Sequence, residues 1–564
     1  MKLLIIGGVA GGATAAARAR RISESADITL VERGPHVSYA NCGLPYFISK
    51  DITKRSKLLL QTPEGFDSRY RVKVLVETEA LEIDRAGKRV RVKGPAGESW
   101  LEYDSLILAQ GGSPVMPPVP GVDSPNVFRL WTVPDMDRIV AFIDAHAPGT
   151  ALIAGGGFIG MEMAEAFVRR GIATTVVELL PRVMSTMDPE FGGMIARGME
   201  AHGVAVRTGV GLKAVDAGCS TAQLTDGSTV PAGIVLVAAG VKAELTLARN
   251  AGLALGAAGG LEVDEHLRTS DPSIWAAGDM NEVLHKVSGR MVRVPMAGPA
   301  NRQGRIASSN ALGMSMRYAG ALGSSVVKIF DMTAAGTGLT ETAARSAGFD
   351  PGAAVVVKDH HASYYPGGKE LVLKIVYDRP SGRLLGGQAL GGEGVEKRID
   401  ALAAALHGKM TLQDLAEIDF SYSPPYSSAN DPLNVAAFVG LNDLSGYAPL
   451  ISAREVQALV AGAADAVSGR PVVQHPTGLV LLDVRNLNEF ETSHVRGALH
   501  IPVDELRFRL DEVPKGRPIA VHCRSGFRSH LALRILKENG WTDVRNITGG
   551  YVAMTALGGF DIQG

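Results

Sequence analysis

The chain has 564 residues, 46% of them hydrophobic and 20% charged, with a formal net charge of −1. That length exceeds what one hydrophobic core serves and implies about three or four domains. The balanced charge gives no electrostatic pull toward nucleic acid, and 3 widely separated cysteines exclude a disulfide framework and a tetrahedral zinc site. No metal is therefore expected. Single thiols that survive as reactive groups suit a reducing cytoplasm. No apolar run reaches the ~18 residues of a membrane span. The run Leu3 to Ala17 is interrupted by Gly7, Gly8, Gly11 and Gly12 and followed by Arg18, Arg20 and Arg21, which argues against a cleaved signal segment.

Leu3 to Ile6 is predicted as a strand, Gly7 to Gly12 as a turn, Ala13 to Ile22 as a helix and Ile28 to Val31 as a second strand ending at Glu32. The acid stands 20 positions after Gly12, as in a dinucleotide-binding fingerprint, although Val9 occupies its third place. Glycines let backbone approach a pyrophosphate, the helix N-terminus supplies N–H donors, and the acid holds ribose hydroxyls. Ser38 to Phe47 follows and contains Cys42. Leu106 to Leu108 is an apolar strand entering Ala109-Gln110-Gly111-Gly112.

The pattern then repeats. Ala151 to Ala154 is a strand, Gly155-Gly156-Gly157-Phe158-Ile159-Gly160 a full fingerprint, Met161 to Arg170 a helix closed by Gly171, and Ala173 to Val177 a strand ending at Glu178. Two fingerprints imply two dinucleotides whose reactive rings stack for hydride transfer. Glu178 suits a free 2′-hydroxyl and favours NADH; Arg182, close by in sequence, leaves NADPH open. Cys219, in Ala217-Gly218-Cys219-Ser220, has no basic neighbour and is assigned no role. Ile274 to Ala277 is another strand, entering Gly278-Asp279. Strands at Val355 to Lys358 and Leu371 to Tyr377 and a helix from Gly394 to His407 follow. The span 440–478 mixes loop with a helix from Ala453 to Ala466 and reads as a linker. In the last segment, Ile519 to His522 is a strand ending on Cys523, and a short loop through Arg528 leads to a helix from His530 to Asn539. A thiol at a strand end below a helix N-terminus, beside Arg528, has surroundings that lower a thiol's pKa and stabilise an anionic persulfide.

These segments together resemble a flavoprotein disulfide reductase with two dinucleotide folds. The resemblance implies an α/β chain: two nested Rossmann-like, glutathione-reductase-type domains, an α+β dimerisation domain and a C-terminal rhodanese α/β domain. The expected spans are 1–114 and 250–324 for FAD, 115–249 for NAD(P)H, 325–440 for dimerisation, 441–478 as linker and 479–564 for rhodanese. FAD contacts fall to Gly7, Gly8, Gly12, Glu32, Arg33, Ala109, Asp279 and Ala297, with Pro295 to Arg305 as the helix facing the flavin pyrimidine. NAD contacts fall to Gly155, Gly157, Phe158, Ile159, Gly160, Glu178 and Gly240.

The segment Ser38-Tyr39-Ala40-Asn41-Cys42-Gly43-Leu44-Pro45-Tyr46 resembles the active-site motif of coenzyme A disulfide reductases. Dithiol reductases carry a second cysteine five positions on, but Phe47 stands there, so the second sulfur must come from a substrate. The resemblance implies a mixed disulfide between Cys42 and CoA, with CoA held by Arg18, Arg21, Ser38, Asn41, Arg69 and Arg302. It also implies tyrosines reaching Cys42 from a homodimer partner. Tyr364 and Tyr422 are selected over Tyr365 and Tyr426. Leu479 to Gly564 resembles a single rhodanese domain with Cys523 as the sulfur carrier and Arg528 beside it. The expected activity is NADH-driven reduction of CoA disulfide, CoA persulfide or polysulfide through FAD, with partners limited to small-molecule thiols, disulfides and persulfides. The alternatives are an NADH oxidase or peroxidase cycling through Cys42 sulfenic acid, and a chain that is mainly a sulfurtransferase.

Overall fold

The computed structural model describes residues 1–216, 218, 220–461 and 478–564. Cys219 and the end of the helix expected to reach Ala466 lie outside the described residues. The described chain forms two compact units, 1–181 with 203–323 and 182–202 with 324–564.

In the first unit, Leu3 to Ile6 are each at most 4% exposed. A short run buried on both faces belongs inside a parallel sheet. The order is Ile274–Ala276, Ser105–Leu108, Lys2–Ile6, Asp27–Val31 and Lys73–Leu75, with every pairing parallel. A second parallel sheet runs Ala205–Thr208, Ala173–Glu178, Thr150–Ala154, Ile234–Val237 and Val127–Phe128. Both glycine-turn helices begin earlier than predicted, at Ala10 and at Phe158. The cause is steric. A Cβ at Gly12 would stand 1.7 Å from the Gly7 oxygen, and one at Gly160 2.0 Å from the Gly155 oxygen. The final glycine of each turn is thus already helical, and its missing side chain lets the helix start against the strand end. Small residues also bring Ala10–Ile22 onto the helix Ala297–Ala311: a Cβ at Gly304 would meet the Gly11 oxygen at 2.2 Å, and Ser308 donates to the Ala15 carbonyl at 2.8 Å.

The second unit holds an antiparallel sheet ordered Ser325–Ile329, Met332–Gly338, Leu384–Gly391, Glu370–Asp378 and Pro351–Asp359. Helix Pro189–Ala201, expected within the NAD(P)H-binding span, is compact with this unit. Lys374, its side chain 4% exposed, reaches Asp188 at 2.9 Å, Glu190 at 2.6 Å and Glu341 at 3.2 Å. These carboxylates more than offset its burial and hold its pKa above the usual lysine range. Arg398 and Asp431, each 1% exposed, pair at 2.9 Å. A parallel sheet ordered Leu450–Ile451, Val544–Ile547, Ile519–His522, Val480–Asp483 and Leu499–His500 completes the unit. Its edge strand, Leu450–Ile451, and the helix Ala453–Ala461 fall inside the span expected to be linker. No helix among the described residues is long and apolar enough to cross a membrane.

Replacing Lys374 by Met leaves three mostly buried carboxylates without their cation. The expected cost is about 3–5 kcal/mol, seen as a lower denaturant midpoint. An unchanged midpoint would show that the cluster contributes nothing to stability.

Candidate active site

The Cys42 segment is tied to the first glycine turn by its backbone: Ser38 N donates to the Gly8 carbonyl at 2.8 Å. Ser38 itself has φ 47°. Asn41–Gly43 forms a short 3-10 turn and Leu44–Ile48 a helix opened by Pro45. Asn41 Oδ1 accepts from the Cys42 backbone N at 3.0 Å and lies 3.7 Å from Sγ. Solvent reaches Cys42, but the atoms packed around it still push its thiol pKa upward, and the Glu162 and Asp279 carboxylates add to the effect. Both free cysteines among the described residues are accounted for: Cys42, exposed, and Cys523, buried.

Sequence reasoning missed Glu162. It lies one residue beyond Met161 on the second fingerprint's helix, and Tyr46 donates to its Oε1 at 3.1 Å. Burial pushes the Glu162 carboxyl up to about 7, against the lowering effect of the Tyr46 hydrogen bond. The available signal was an acid one helical turn inside a nucleotide-binding helix. A carboxylate among largely apolar neighbours there needs a donor, and Tyr46 provides it.

Beside this cluster lies a cavity of about 250 Å³. Six of the expected FAD residues line it: Gly7, Gly8, Glu32, Arg33, Ala109 and Asp279. Gly12 lies beneath it, and Ala297 begins the helix whose Ala300 lines it. His36, Asn41, Trp131 and Thr132 also line it. Glu32 accepts from Gly8 N at 2.8 Å and Gly34 N at 2.7 Å, while burial raises its pKa. Burial pushes Asp279 up to about 6, with Arg293 opposing. Gln303 Oε1 fixes the turn before Asp279, accepting from Gly278 N at 2.9 Å. Among the described residues, the Gln110 Oε1 is buried without a partner in the turn after Ser105–Leu108. An orphaned acceptor, open glycine backbone and an acid form a polar set that fits a dinucleotide carrying N–H and hydroxyl groups.

The second fingerprint repeats the first. A Cβ at Gly155 would meet the Ala238 oxygen at 2.2 Å, whereas one at Gly157 would project into open space. Glu178 accepts from Gly156 N at 2.7 Å and Leu180 N at 2.8 Å, and Gly240 has φ +103°. Phe158 and Ile159 form the helix's first turn. Arg182 belongs to the other unit, where it donates to the Leu557 carbonyl.

The residues expected around CoA are only partly gathered. Ser38 and Asn41 share the Cys42 turn. Arg18 donates to Ser309 Oγ at 3.1 Å, and burial with nearby Arg305 and Arg21 lowers its pKa. Arg21 turns back on the Ala17 carbonyl at 3.1 Å. Arg302 lies near Lys286 and Tyr318. Arg69 is exposed on the helix Pro63–Tyr70. Among the described residues, no hydrogen bond or ion pair joins Arg69 to the Cys42 turn.

In the second unit, Tyr364 and Tyr422 hydrogen-bond through their hydroxyls at 2.8 Å. Their two segments are braced by Arg398, which donates to the His360 carbonyl at 2.8 Å and to Asp431, itself bound by Ser427 Oγ at 2.8 Å. Tyr365 instead packs edge-on against His361, and the Tyr426 carbonyl accepts from Lys397. Cys523 is 1% exposed. Its Sγ accepts from Gly526 N at 3.1 Å and lies 3.5 Å from Ser529 Oγ. Arg528 is held by Glu489 at 2.5 and 2.8 Å. The helix after the loop starts at Phe527, three residues before the predicted His530, so its N-terminus forms part of the loop.

Because folded Glu162 keeps a proton that the unfolded chain has lost, stability contributed by this group is present near pH 4.5 and falls as pH rises toward about 7. Tyr46→Phe removes the hydrogen bond that lowers the pKa, extending this loss to higher pH; Glu162→Gln flattens it. Melting temperature measured from pH 4 to 8 checks both, and parallel curves for all three proteins would contradict the assignment.

Residues 1–304 match the family described as pyridine nucleotide-disulphide oxidoreductase, residues 324–432 its dimerisation domain, and residues 470–557 the rhodanese-like domain. The chain is 36% identical to an NAD(P)H sulfur oxidoreductase (CoA-dependent) of Pyrococcus abyssi, over 78% of this chain and 97% of that protein. It is similar to reduced CoADR-RHD of Bacillus anthracis, with 38% identity, TM-score 0.92, and coverage of 99% of this chain and 98% of that one. It is also similar to an NAD-dependent persulfide reductase from A. fulgidus, with 34% identity, TM-score 0.89, and coverage of 98% and 100%. The chain belongs to the pyridine nucleotide-disulphide oxidoreductase family and carries that family's dimerisation domain and a C-terminal rhodanese domain.

Proposed function

We infer that this enzyme uses NADH to reduce CoA persulfide, or a related CoA disulfide or polysulfide, through a mixed disulfide on Cys42, and that Cys523 receives or hands on sulfane sulfur. The observation that carries this reading is a solvent-reachable Cys42 with Phe47 where a dithiol enzyme has its second cysteine. The similarity to a CoA-dependent sulfur oxidoreductase and to a persulfide reductase supports the substrate class.

Cys42 attacks the CoA-bound sulfur of the persulfide, the S–S bond breaks, and HS⁻ leaves. The mixed disulfide then accepts two electrons, releasing the CoA thiol and restoring Cys42, with NADH oxidised to NAD⁺. FAD, which the glycine turn with Glu32 and Asp279 would hold, would supply the passage for that electron pair between nicotinamide and disulfide. Burial, with the Glu162 and Asp279 carboxylates adding to it, raises the Cys42 thiol pKa, and it is the thiolate that attacks. Arg18, Arg302 and Asn41 orient the CoA end, and the hydrogen-bonded Tyr364 and Tyr422 of a second copy stabilise the departing thiolate. The Glu178 carboxylate favours a free 2′-hydroxyl, and with Arg182 engaged by Leu557 NADH is preferred over NADPH. A reducing cytoplasm suits both free thiols.

Mass spectrometry of the purified protein should identify FAD and CoA as tightly bound molecules. Wild type given NADH and CoA persulfide should release sulfide, and Cys42→Ser should lose on the order of 10³-fold or more of that rate. Rapid turnover of CoA disulfide with no sulfide from the persulfide would overturn the substrate preference. Faster NADH consumption with peroxide than with either CoA substrate would favour the peroxidase alternative.

A further inference from the structure

We propose that Thr548 is a positioning residue for the sulfur cradle around Cys523, and that the edge strand Pro351–Asp359 of the dimerisation sheet braces that cradle from behind. The inference rests on the reading of Cys523 as a sulfur carrier.

The cradle is built from peptide groups held by their carbonyls. The Cys523 carbonyl accepts from Tyr551 N at 2.8 Å and the Arg524 carbonyl from Val552 N at 3.1 Å. The Gly526 carbonyl accepts from Asn546 Nδ2 at 3.1 Å and from His530 N at 3.1 Å. In a planar trans peptide the N–H points opposite to the carbonyl. Each anchored carbonyl therefore turns the next N–H, of Arg524, Ser525 or Phe527, to the loop's other side. The Gly526 N–H already reaches Sγ at 3.1 Å. Convergent N–H groups of this kind stabilise an anion.

Apart from His530, the anchoring donors stand on one short stretch, Asn546 to Val552. Its turn is formed by Gly549 and Gly550, with φ +74° and +54°. The two glycines are wedged. A Cβ on Gly550 would lie 2.5 Å from the Cys523 oxygen, and one on Gly549 2.8 Å from Val355 Cγ1. The turn therefore touches both the thiol loop and the edge strand of the dimerisation sheet, beside a cavity of about 430 Å³ that Val355, Val357, Ser525 and Gly526 also line. Thr548, 5% exposed, fixes it there: its Oγ1 accepts from Val355 N at 2.7 Å and donates to the Val355 carbonyl at 3.4 Å. Val355 can offer these groups because its strand is the sheet's edge, paired among the described residues with Glu370–Asp378 alone.

The test uses full-length, FAD-loaded protein with thiosulfate as donor and cyanide as acceptor. The Cys523 thiolate attacks the outer sulfur of thiosulfate, the S–S bond breaks, and sulfite leaves with the bonding pair. Cyanide then takes the outer sulfur as thiocyanate and frees the thiolate. Thr548→Val, which keeps the shape and removes both hydrogen bonds, should lower kcat/KM for thiosulfate about tenfold. It should also move the acid limb of the pH profile of kcat/KM to higher pH, and Thr548→Ser should restore both. Val355→Pro removes the same donor from the other side, at an outward-facing edge position that tolerates proline, and should shift the profile in the same direction. A pH profile matching wild type in Thr548→Val, with only a lower melting temperature, would make Thr548 a docking contact and overturn the proposal. Absence of sulfur transfer in wild type would instead overturn the carrier reading of Cys523.

Discussion

Everything on the first unit's binding face depends on two places where a helix begins almost against a strand end. At Gly12 and Gly160 a methyl group would collide with a backbone oxygen. The same solution completes both turns: a carboxylate from the neighbouring strand's end, Glu32 or Glu178, accepts the N–H of the turn's second glycine. Each turn thus has its shape enforced from below by sterics and from the side by an ion. Helix N-termini prepared in this way bind anionic phosphate without rearrangement.

Cys42 inherits its position from the first of these turns, because the backbone of Ser38 is bonded to Gly8. The atoms packed around the thiol raise its pKa, and the Glu162 and Asp279 carboxylates add to the effect. That is the opposite of the surroundings of a thiol poised for indiscriminate attack. In the second unit, one buried pair, Arg398 with Asp431, braces both tyrosine-bearing segments. Buried ion pairs contribute little net stability but fix geometry when every lone pair is used.

The parts of this molecule that depend on local spacing were legible in the sequence. Glycines, an apolar strand and an acid recur in register, and each has a local steric or electrostatic reason. The starts of the helices were not, because glycine's poor helix propensity hides its use inside a first turn. Nor was the pairing of Tyr46 with Glu162, which spans 116 positions, since hydrogen bonds of that range are set by the fold. The same applies to the hydrogen bond between Tyr364 and Tyr422: their segments stood out, while the bond depends on two loops that Arg398 braces. Leu450–Ile451 was missed because two residues carry no periodicity.

That short strand sets where the C-terminal domain can be cut free. Excised at Leu479, the domain would lose Leu450–Ile451 and bare the open edge of Val544–Ile547, a row of unpaired peptide groups ready to recruit another chain. The exposed edge would carry Asn546, the residue that steadies the thiol loop. A fragment chosen by its sequence signature alone would therefore expose an unpaired sheet edge, and the natural excision point lies upstream of Pro449.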